Sequence, residues 1–250
     1  GFTFEPKDLV PGLTVIADYV NVQIDDRIAS LNQSVLARSC YDSPTFPIAE
    51  CDAITRDATG QIVTFTSGFA NAATSQLQTV LGNVTYDTPV ASVLGLFDDS
   101  LKDGEYGDLT FRINFTRRIQ NDLSVANEAP INDIGEFQLP KWSATYDINY
   151  NYDKLNVFWR IVWQSNDILD AADENPNFFE NEFGDIVTNT GDRFIHNATV
   201  SYEVFDGIRA SATVNNVFNR RGNLLQRTYG AVGFDEIFGR SVSFRISASF

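Results

Sequence analysis

Alternation of apolar and polar residues with a period of two is the feature that most constrains how this chain folds. Between Ser241 and Phe250 every second residue is apolar, and the residues between are serine or arginine. Successive side chains of a β-strand point to opposite faces, so this segment has one apolar and one polar face. The sequence therefore predicts an all-β fold. Comparable strands are predicted at 109–116, 141–152, 155–164, 194–204 and 208–214. Less regular strands are predicted at 14–25, where the alternation changes phase near Tyr19, and at 76–87, where it is weak, with a strand end at 1–6.

The connections between these strands are of two lengths. Asp153-Lys154 and Asp206-Gly207 are two-residue turns, the second with typical hairpin chemistry. The connections at about 27–70, 120–140, 166–192 and 219–239 are long and polar. Short turns alternating with long loops, between strands of about ten residues, are typical of an outer-membrane barrel. Residues 88–107 break this rule, and an extra hairpin or a short helix is expected there.

Composition excludes several other classes of protein. A net charge of -15 disfavours binding to nucleic acid, which requires clustered basic residues. No apolar run reaches the 18 or more residues of a transmembrane helix. One histidine and two cysteines cannot supply a nucleophilic triad, so we expect no enzyme activity. The sequence also predicts no cofactor and no metal site.

A soluble β-sandwich is the alternative to a membrane barrel, because its strands alternate as well. The polar faces here carry few Lys and Glu and are rich in Ser, Thr and Asn, which is unusual for a solvated surface. Aromatic residues concentrate near strand ends, as the girdles of a membrane barrel require. Both features favour a transmembrane, antiparallel, up-and-down barrel. The aromatic residues are Trp142, Tyr150, Tyr152, Trp163, Phe194, Tyr202 and Phe250.

Two segments resemble TonB-dependent outer-membrane receptors. Val214-Asn215-Asn216-Val217-Phe218-Asn219 is similar to the end of that family's penultimate strand, and Gly239-Arg240 precedes a similar terminal strand. The segment around Cys40 and Cys51, with Tyr41-Asp42-Ser43-Pro44 and Ile54-Thr55-Arg56-Asp57, looks like an extracellular loop of one branch.

The resemblance implies a place for this chain in a larger barrel. Residues 1–250 would be the C-terminal part of a 22-stranded transmembrane β-barrel, with the N-terminal plug and earlier strands outside this chain. The location would be the bacterial outer membrane. Partners would be outer-membrane lipid and lipopolysaccharide, the TonB complex through that N-terminal region, the β-barrel assembly machinery through Phe250, and a small-molecule cargo.

Three functions compete at this stage. The first is TonB-dependent uptake of a bulky scarce nutrient, with an iron–siderophore complex ahead of a saccharide or another cargo. The second is a passive porin, which lacks a plug. The third is an adhesive or structural barrel. A plug sequence would separate the first from the others, and ion conductance without energy input would favour the second.

Cys40 and Cys51 are predicted to form a disulfide, because both lie in one polar segment that suits an oxidising compartment. Two free thiols are the alternative. The bridge would contribute about 2–3 kcal/mol by restricting the unfolded chain. A helix carrying Ile28, Leu31, Val35 and Leu36 on one face is expected just before it. We interpret the whole as support for a loop that gates the barrel mouth.

The remaining candidates are charged or titratable. Arginines fall on the predicted lumen faces, where they would contact a plug or the substrate path. His196 lies on an apolar face, where an interfacial role is favoured over a ligand role. The acidic loop 167–192 is interpreted as a solvated surface, with calcium binding as the alternative. The lumen arginines are Arg112, Arg160, Arg209 and Arg245.

Overall fold

The computed structural model describes residues 1–125, 130–135, 139–165, 191–221 and 238–249. Nearly all regular structure within these ranges is β. The strands are β1 (Phe2–Phe4), β2 (Leu13–Leu31), β3 (Ile54–Arg56), β4 (Ile62–Phe65), β5 (Gly68–Pro89), β6 (Asp108–Val125), β7 (Ile131–Asn132), β8 (Trp142–Tyr152), β9 (Leu155–Gln164), β10 (Arg193–Phe205), β11 (Ile208–Asn215) and β12 (Ser241–Ala248). The helices are α1 (Gln33–Tyr41), α2 (Val90–Leu94) and two short 3-10 helices, Ala49–Ala53 and Asp99–Leu101.

Ten of the strands within the described ranges form one antiparallel sheet in the order β1-β2-β5-β6-β8-β9-β10-β11-β12, with β7 beside β6. Neighbours in the sheet follow one another along the chain, apart from β7 and the separate β3–β4 hairpin. The predicted up-and-down arrangement is confirmed, and each of the predicted strands is present.

Three strands are much longer than the predicted ten residues. β2 has 19 residues, β5 has 22 and β6 has 18. The expected loops at 27–70 and 120–140 were therefore too long, since each includes strand residues at its ends. Backbone pairing continues beyond the segments where apolar and polar residues alternate, so alternation alone does not mark the strand ends.

The described residues pack as two compact units. The first comprises 1–19, 80–117 and the described part of 135–250, and it contains the strands from β8 to β12. Both predicted two-residue turns are present there. Asp153 and Gly207 have φ values of 48° and 76°, in the left-handed region that a tight hairpin requires. Tyr152 pairs with Leu155 across the first turn, and Phe205 pairs with Ile208 across the second.

One face of the first unit exposes large apolar side chains. Phe244 and Ile246 of β12 are 81% and 78% exposed, and Val200 and Tyr202 of β10 are about half exposed. A continuous apolar face of this kind on a folded sheet marks contact with an apolar medium or a partner. The opposite face carries the polar residues.

The second unit comprises 20–79 and the described part of 118–134. Its helix α1 begins later than predicted, because the Asn32 side chain accepts a hydrogen bond from the Val35 amide and caps the helix there. Val35 and Leu36 are buried on the helix as expected. Ile28 and Leu31 lie in β2 instead, so their assignment to the helix was wrong.

The connection between β5 and β6 is a short helix rather than a hairpin. α2 follows β5 directly, and a 3-10 helix at Asp99–Leu101 follows it. The Val90 amide donates to the Gly107 carbonyl across the base of this connection, at 2.8 Å. Of the two alternatives left open for 88–107, the structure therefore has the short helix.

Among the described residues, no helix is both long enough and apolar enough to cross a membrane.

Candidate functional site: the polar face of the sheet

The polar face of the first unit is organised in rows that run across the strands. Directly opposed residues of antiparallel strands share a face, so the register defines which side chains lie side by side. One row crosses four strands from β6 to β10. It consists of Arg112, Asp147, Arg160 and Asn197.

An ion pair lies at the centre of this row. Arg160 of β9 donates from Nε and an Nη atom to the two carboxylate oxygens of Asp147 on β8, at 2.7 and 2.8 Å. Asp147 is only 7% exposed, and Arg160 also lies over the Phe158 ring, 5.3 Å from its centroid. This two-point geometry is the stronger form of an arginine–carboxylate contact and fixes the guanidinium plane.

Arg112 lies opposite the same carboxylate from the other side, on β6. Its side chain is exposed, and it makes no ion pair among the described residues. Asp147 is already occupied by Arg160. The row therefore has two guanidinium groups for one carboxylate, and its surplus positive charge is available to an anionic group.

Two other predicted arginines lie on β11 and β12. Arg209 is opposite Glu203 and Ser247, and Arg245 is opposite Ser211. These positions are diagonal neighbours near the Asp206-Gly207 turn. Within the described part of the chain, neither arginine forms an ion pair. The four arginines thus share the polar face in two separate groups, Arg112 with Arg160 and Arg209 with Arg245. Among the described residues, Arg160 is the one of the four that has a carboxylate partner.

Hydrogen bonds between uncharged side chains cover much of the remaining polar face. The Asn83 amide donates to Asn114 at 2.7 Å, and Asn114 donates in turn to Thr145 at 3.3 Å. Asn156 donates to both Asn149 and Asn151 at 2.7 Å. Hydroxyl pairs continue the pattern on β10 and β11. These pairs are Thr199 with Thr213 at 3.0 Å and Ser201 with Ser211 at 2.9 Å.

The residues of the family-like motif form a turn at the end of β11. Asn216 is 1% exposed and has a φ of 52°. Its side chain accepts from the Arg220 amide at 2.8 Å and donates to the Arg220 carbonyl at 2.7 Å. The backbone amide of Asn216 donates to the side-chain oxygen of Asn197 at 2.9 Å. Asn219, also at positive φ, accepts from the Arg240 amide at 2.9 Å and so ties the turn to the start of β12.

His196 lies on the apolar face, as predicted. Its Nδ1 atom accepts a hydrogen bond from Trp159 Nε1 at 3.3 Å, and its ring centroid lies 4.7 Å from that of Phe218. The histidine therefore belongs to an aromatic cluster. Phe250 lies outside the described residues, and so does the acidic loop 167–192 apart from its last two residues.

The predicted disulfide is present in the second unit. It joins Cys40 of α1 to Cys51 of the following 3-10 helix, with a Cα–Cα distance of 5.0 Å. Arg56 stacks over the Tyr41 ring at 5.3 Å and donates to its hydroxyl, and Phe46 stacks on the same ring at 6.0 Å. Sequence reasoning did not identify this aromatic–arginine cluster as a unit, because Tyr41 and Arg56 are 15 residues apart in the sequence.

The turn of the β3–β4 hairpin is organised by Asp57. Its carboxylate accepts from the Thr59 hydroxyl at 2.6 Å, the Thr59 amide at 2.9 Å and the Gln61 amide at 3.0 Å. The Thr59 hydroxyl and then the Gln61 amide lower the pKa of Asp57 below its ordinary value, because both hydrogen bonds favour the charged form.

A single antiparallel meander with one apolar and one polar face is the architecture of an outer-membrane β-barrel. No protein-family model and no curated protein sequence matches this chain. Among solved structures, a mutant of the ferric enterobactin receptor of Pseudomonas aeruginosa is similar over 96% of this chain, with a TM-score of 0.53 and 16% identity. This similarity shows the fold: the chain is folded as a portion of such a receptor's barrel.

Two further structures are similar at lower scores. The ferripyoverdine receptor of the P. aeruginosa outer membrane matches 85% of this chain and 22% of its own, with a TM-score of 0.45 and 12% identity. The FrpB iron transporter of Neisseria meningitidis matches 84% of this chain and 25% of its own, with a TM-score of 0.46 and 12% identity. The chain spans 29% of the ferric enterobactin receptor.

Proposed function

We propose that this chain forms part of the barrel wall of a TonB-dependent receptor that imports a bulky, scarce nutrient across the bacterial outer membrane. The barrel fold and the motif turn built on Asn216 support this proposal. An iron–siderophore complex is the leading cargo, since a solved structure with a similar fold is a ferric enterobactin receptor. A saccharide is the next candidate. Transport of either requires no covalent chemistry.

The single observation that carries the proposal is the polar face with its arginine–carboxylate row. A lipid-facing position would not hold Asp147 and Arg160, because charged groups in contact with hydrocarbon are strongly disfavoured. The polar face therefore lines the lumen. There the surplus charge of Arg112, and that of Arg209 and Arg245, would contact a plug domain or an anionic cargo.

The proposal extends to the rest of the receptor. Residues 1–250 would be the C-terminal part of a 22-stranded barrel, preceded by a plug that engages the TonB complex. The apolar face, including Phe244 and Ile246, would contact outer-membrane lipid and lipopolysaccharide. Phe250 would contact the barrel assembly machinery.

Uptake by whole cells tests this function. The intact protein is expressed in a strain lacking other receptors, and uptake of radioactive iron supplied as ferric enterobactin and of a labelled maltodextrin is measured with and without TonB. Import of one cargo that stops when TonB is deleted is expected. Import that persists without TonB would identify a passive porin. Absence of import together with cell adhesion would identify the adhesive alternative.

A further inference from the structure

The edge of the sheet that carries the tight turns has two kinds of connection. The β8–β9 and β10–β11 turns have two residues each, and Lys154 of one lies 3.7 Å from Asp206 of the other as an ion pair. The β1–β2 and β5–β6 connections are longer. They are adjacent, because the Asp87 amide at the end of β5 donates to the Gly12 carbonyl at the start of β2 at 3.0 Å.

The two longer connections display large apolar side chains. Leu96 and Phe97 are 82% and 86% exposed, and Leu9 is 84% exposed. A turn of minimal length would suffice to join antiparallel strands, as the other two connections show. The extra residues are therefore not needed to close the hairpins. The high exposure of three large apolar side chains on them marks an interaction surface.

Leu96 and Phe97 are held on an ordered backbone. The Phe97 and Asp98 amides both donate to the Leu94 carbonyl, at 2.9 and 3.0 Å. The Asp98 side chain accepts from the Ser100 amide at 2.9 Å and caps the next helical turn. A pre-ordered display loses little conformational entropy when a partner docks on it.

The charges around these apolar groups are mostly negative. Residues 5–10 and 96–105 together contain six carboxylates and two lysines, so their net charge is -4. Both lysines are already engaged, Lys7 with Glu5 at 3.3 Å and Lys102 with Asp99 at 2.6 Å. The surface would repel an anionic lipid headgroup and attract a cationic partner.

We propose that this surface, formed by Leu9, Leu96 and Phe97 with their acidic surroundings, docks a basic polypeptide segment that inserts apolar side chains between the two connections. Its location on the periplasmic side rests on the proposed function, because barrel turns are short on that side. Docking of the basic segment depends only on the residues named above. If docking fails, the uptake assay can still give a positive result, and if uptake fails, docking can still be observed.

A peptide-binding assay tests the proposal. The intact protein is placed in phosphatidylcholine nanodiscs and titrated with a labelled peptide of alternating lysine and leucine, with empty nanodiscs as the blank. Saturable binding that weakens at about 0.5 M salt is expected, because charge complementarity is screened. The matched peptide with glutamate in place of lysine should not bind.

Two variants distinguish docking on this surface from general attraction of the basic peptide to an acidic protein. The double substitution Leu96→Ser and Phe97→Ser should weaken binding about tenfold or more, since it removes two apolar groups that become buried. Phe205→Ser removes an apolar group, 66% exposed, beside the short β10–β11 turn and should change binding less than about twofold. Equal binding by the double variant and the wild type would overturn the proposal.

A lipid occupant gives a different result. Phe97→Cys carrying a bimane fluorophore is placed in nanodiscs of brominated phosphatidylcholine, where a group inside the bilayer is quenched. No quenching is expected, because the surface faces the aqueous phase. Strong quenching would overturn the proposal and identify Leu96 and Phe97 as a membrane anchor.

Discussion

Arg160 and Asp147 face each other on adjacent strands and share two hydrogen bonds, while Arg112 stands on the other side of the same carboxylate. Asp147 is nearly buried, whereas the Arg160 side chain is 44% exposed. The carboxylate therefore organises the centre of the polar face, and Arg160 remains accessible on that face.

Removing the Asp147 carboxylate should cost more stability than removing the neighbouring charge of Arg112, which makes no ion pair among the described residues. Asp147→Ala leaves two guanidinium groups side by side without a counter-ion, and we expect a loss of about 1–3 kcal/mol in unfolding free energy, reduced from the value for fully buried pairs by the exposure of Arg160. Urea unfolding in detergent measures it. Arg112→Ala is the control, and it should have little effect on stability. Equal losses in both variants would contradict this arrangement.

Loss of the disulfide should loosen the second unit without disturbing the strands of the first. Replacing Cys40 and Cys51 by serine frees a segment with a sequence separation of 11, and should lower local stability by about 2–3 kcal/mol. Limited proteolysis should then cut between residues 33 and 67, while β8 and β9 stay protected. Unchanged protease resistance in the variant would show that the bridge does not support this region.

Replacing Asn216 by alanine should lower the stability of the protein for two separate reasons. Asn216→Ala removes both side-chain hydrogen bonds to Arg220 and places an alanine at a φ of 52°, so we expect a loss of about 1–3 kcal/mol. Asn216→Gly removes the same bonds but tolerates the backbone, and its loss should be smaller. Thermal unfolding compares the two. A glycine variant less stable than the alanine variant would contradict the role of the positive φ.

Gly82 should be sensitive to the smallest possible enlargement. A Cβ atom there would lie 2.1 Å from the Phe115 ring, so Gly82→Ala forces the ring to move, at about 1–3 kcal/mol. Gly68→Ala is the matched control in the same strand, because nothing lies within 4 Å of its added Cβ atom. Equal unfolding midpoints for both variants would exclude close packing of Phe115 over Gly82.

Acid should loosen the β3–β4 hairpin. The pKa of Asp57 is below its ordinary value in the folded hairpin, so the stabilisation is complete above that ordinary value and is lost as the pH falls through the folded pKa. Hydrogen exchange of the Thr59 and Gln61 amides, corrected for intrinsic rates, should accelerate in acid. Asp57→Asn should remove this dependence, and acceleration that persists in this variant would assign it to another group.

Much of the polar face could have been read from the sequence through its tight turns. Counting back six residues from Asp153 reaches Asp147, and counting on six from Lys154 reaches Arg160, so the two-residue turn already places this pair opposite each other. Alternation alone identified the face of Arg160 but not its partner. Register is the additional information, and the turn supplies it.

The same count fails on the next hairpin. The register shifts between Glu203 and Phe205, and this bulge changes which β10 residue lies opposite Arg209. No pattern of residues in the sequence predicts this bulge. The extended ends of β2, β5 and β6 were missed for a related reason, since polar residues such as Asp26 and Arg27 continue β2 without alternation. The β-fold was therefore predictable, whereas the contacts that depend on bulges and strand extension were not.

The intact mass and N-terminal sequence of the polypeptide that carries these residues test most directly the claim that they form one portion of a plugged receptor barrel. The proposal predicts a mass corresponding to roughly three times these 250 residues, with a plug domain before the barrel strands. A polypeptide of about 250 residues would contradict it, because no plug would then be available for TonB to act on.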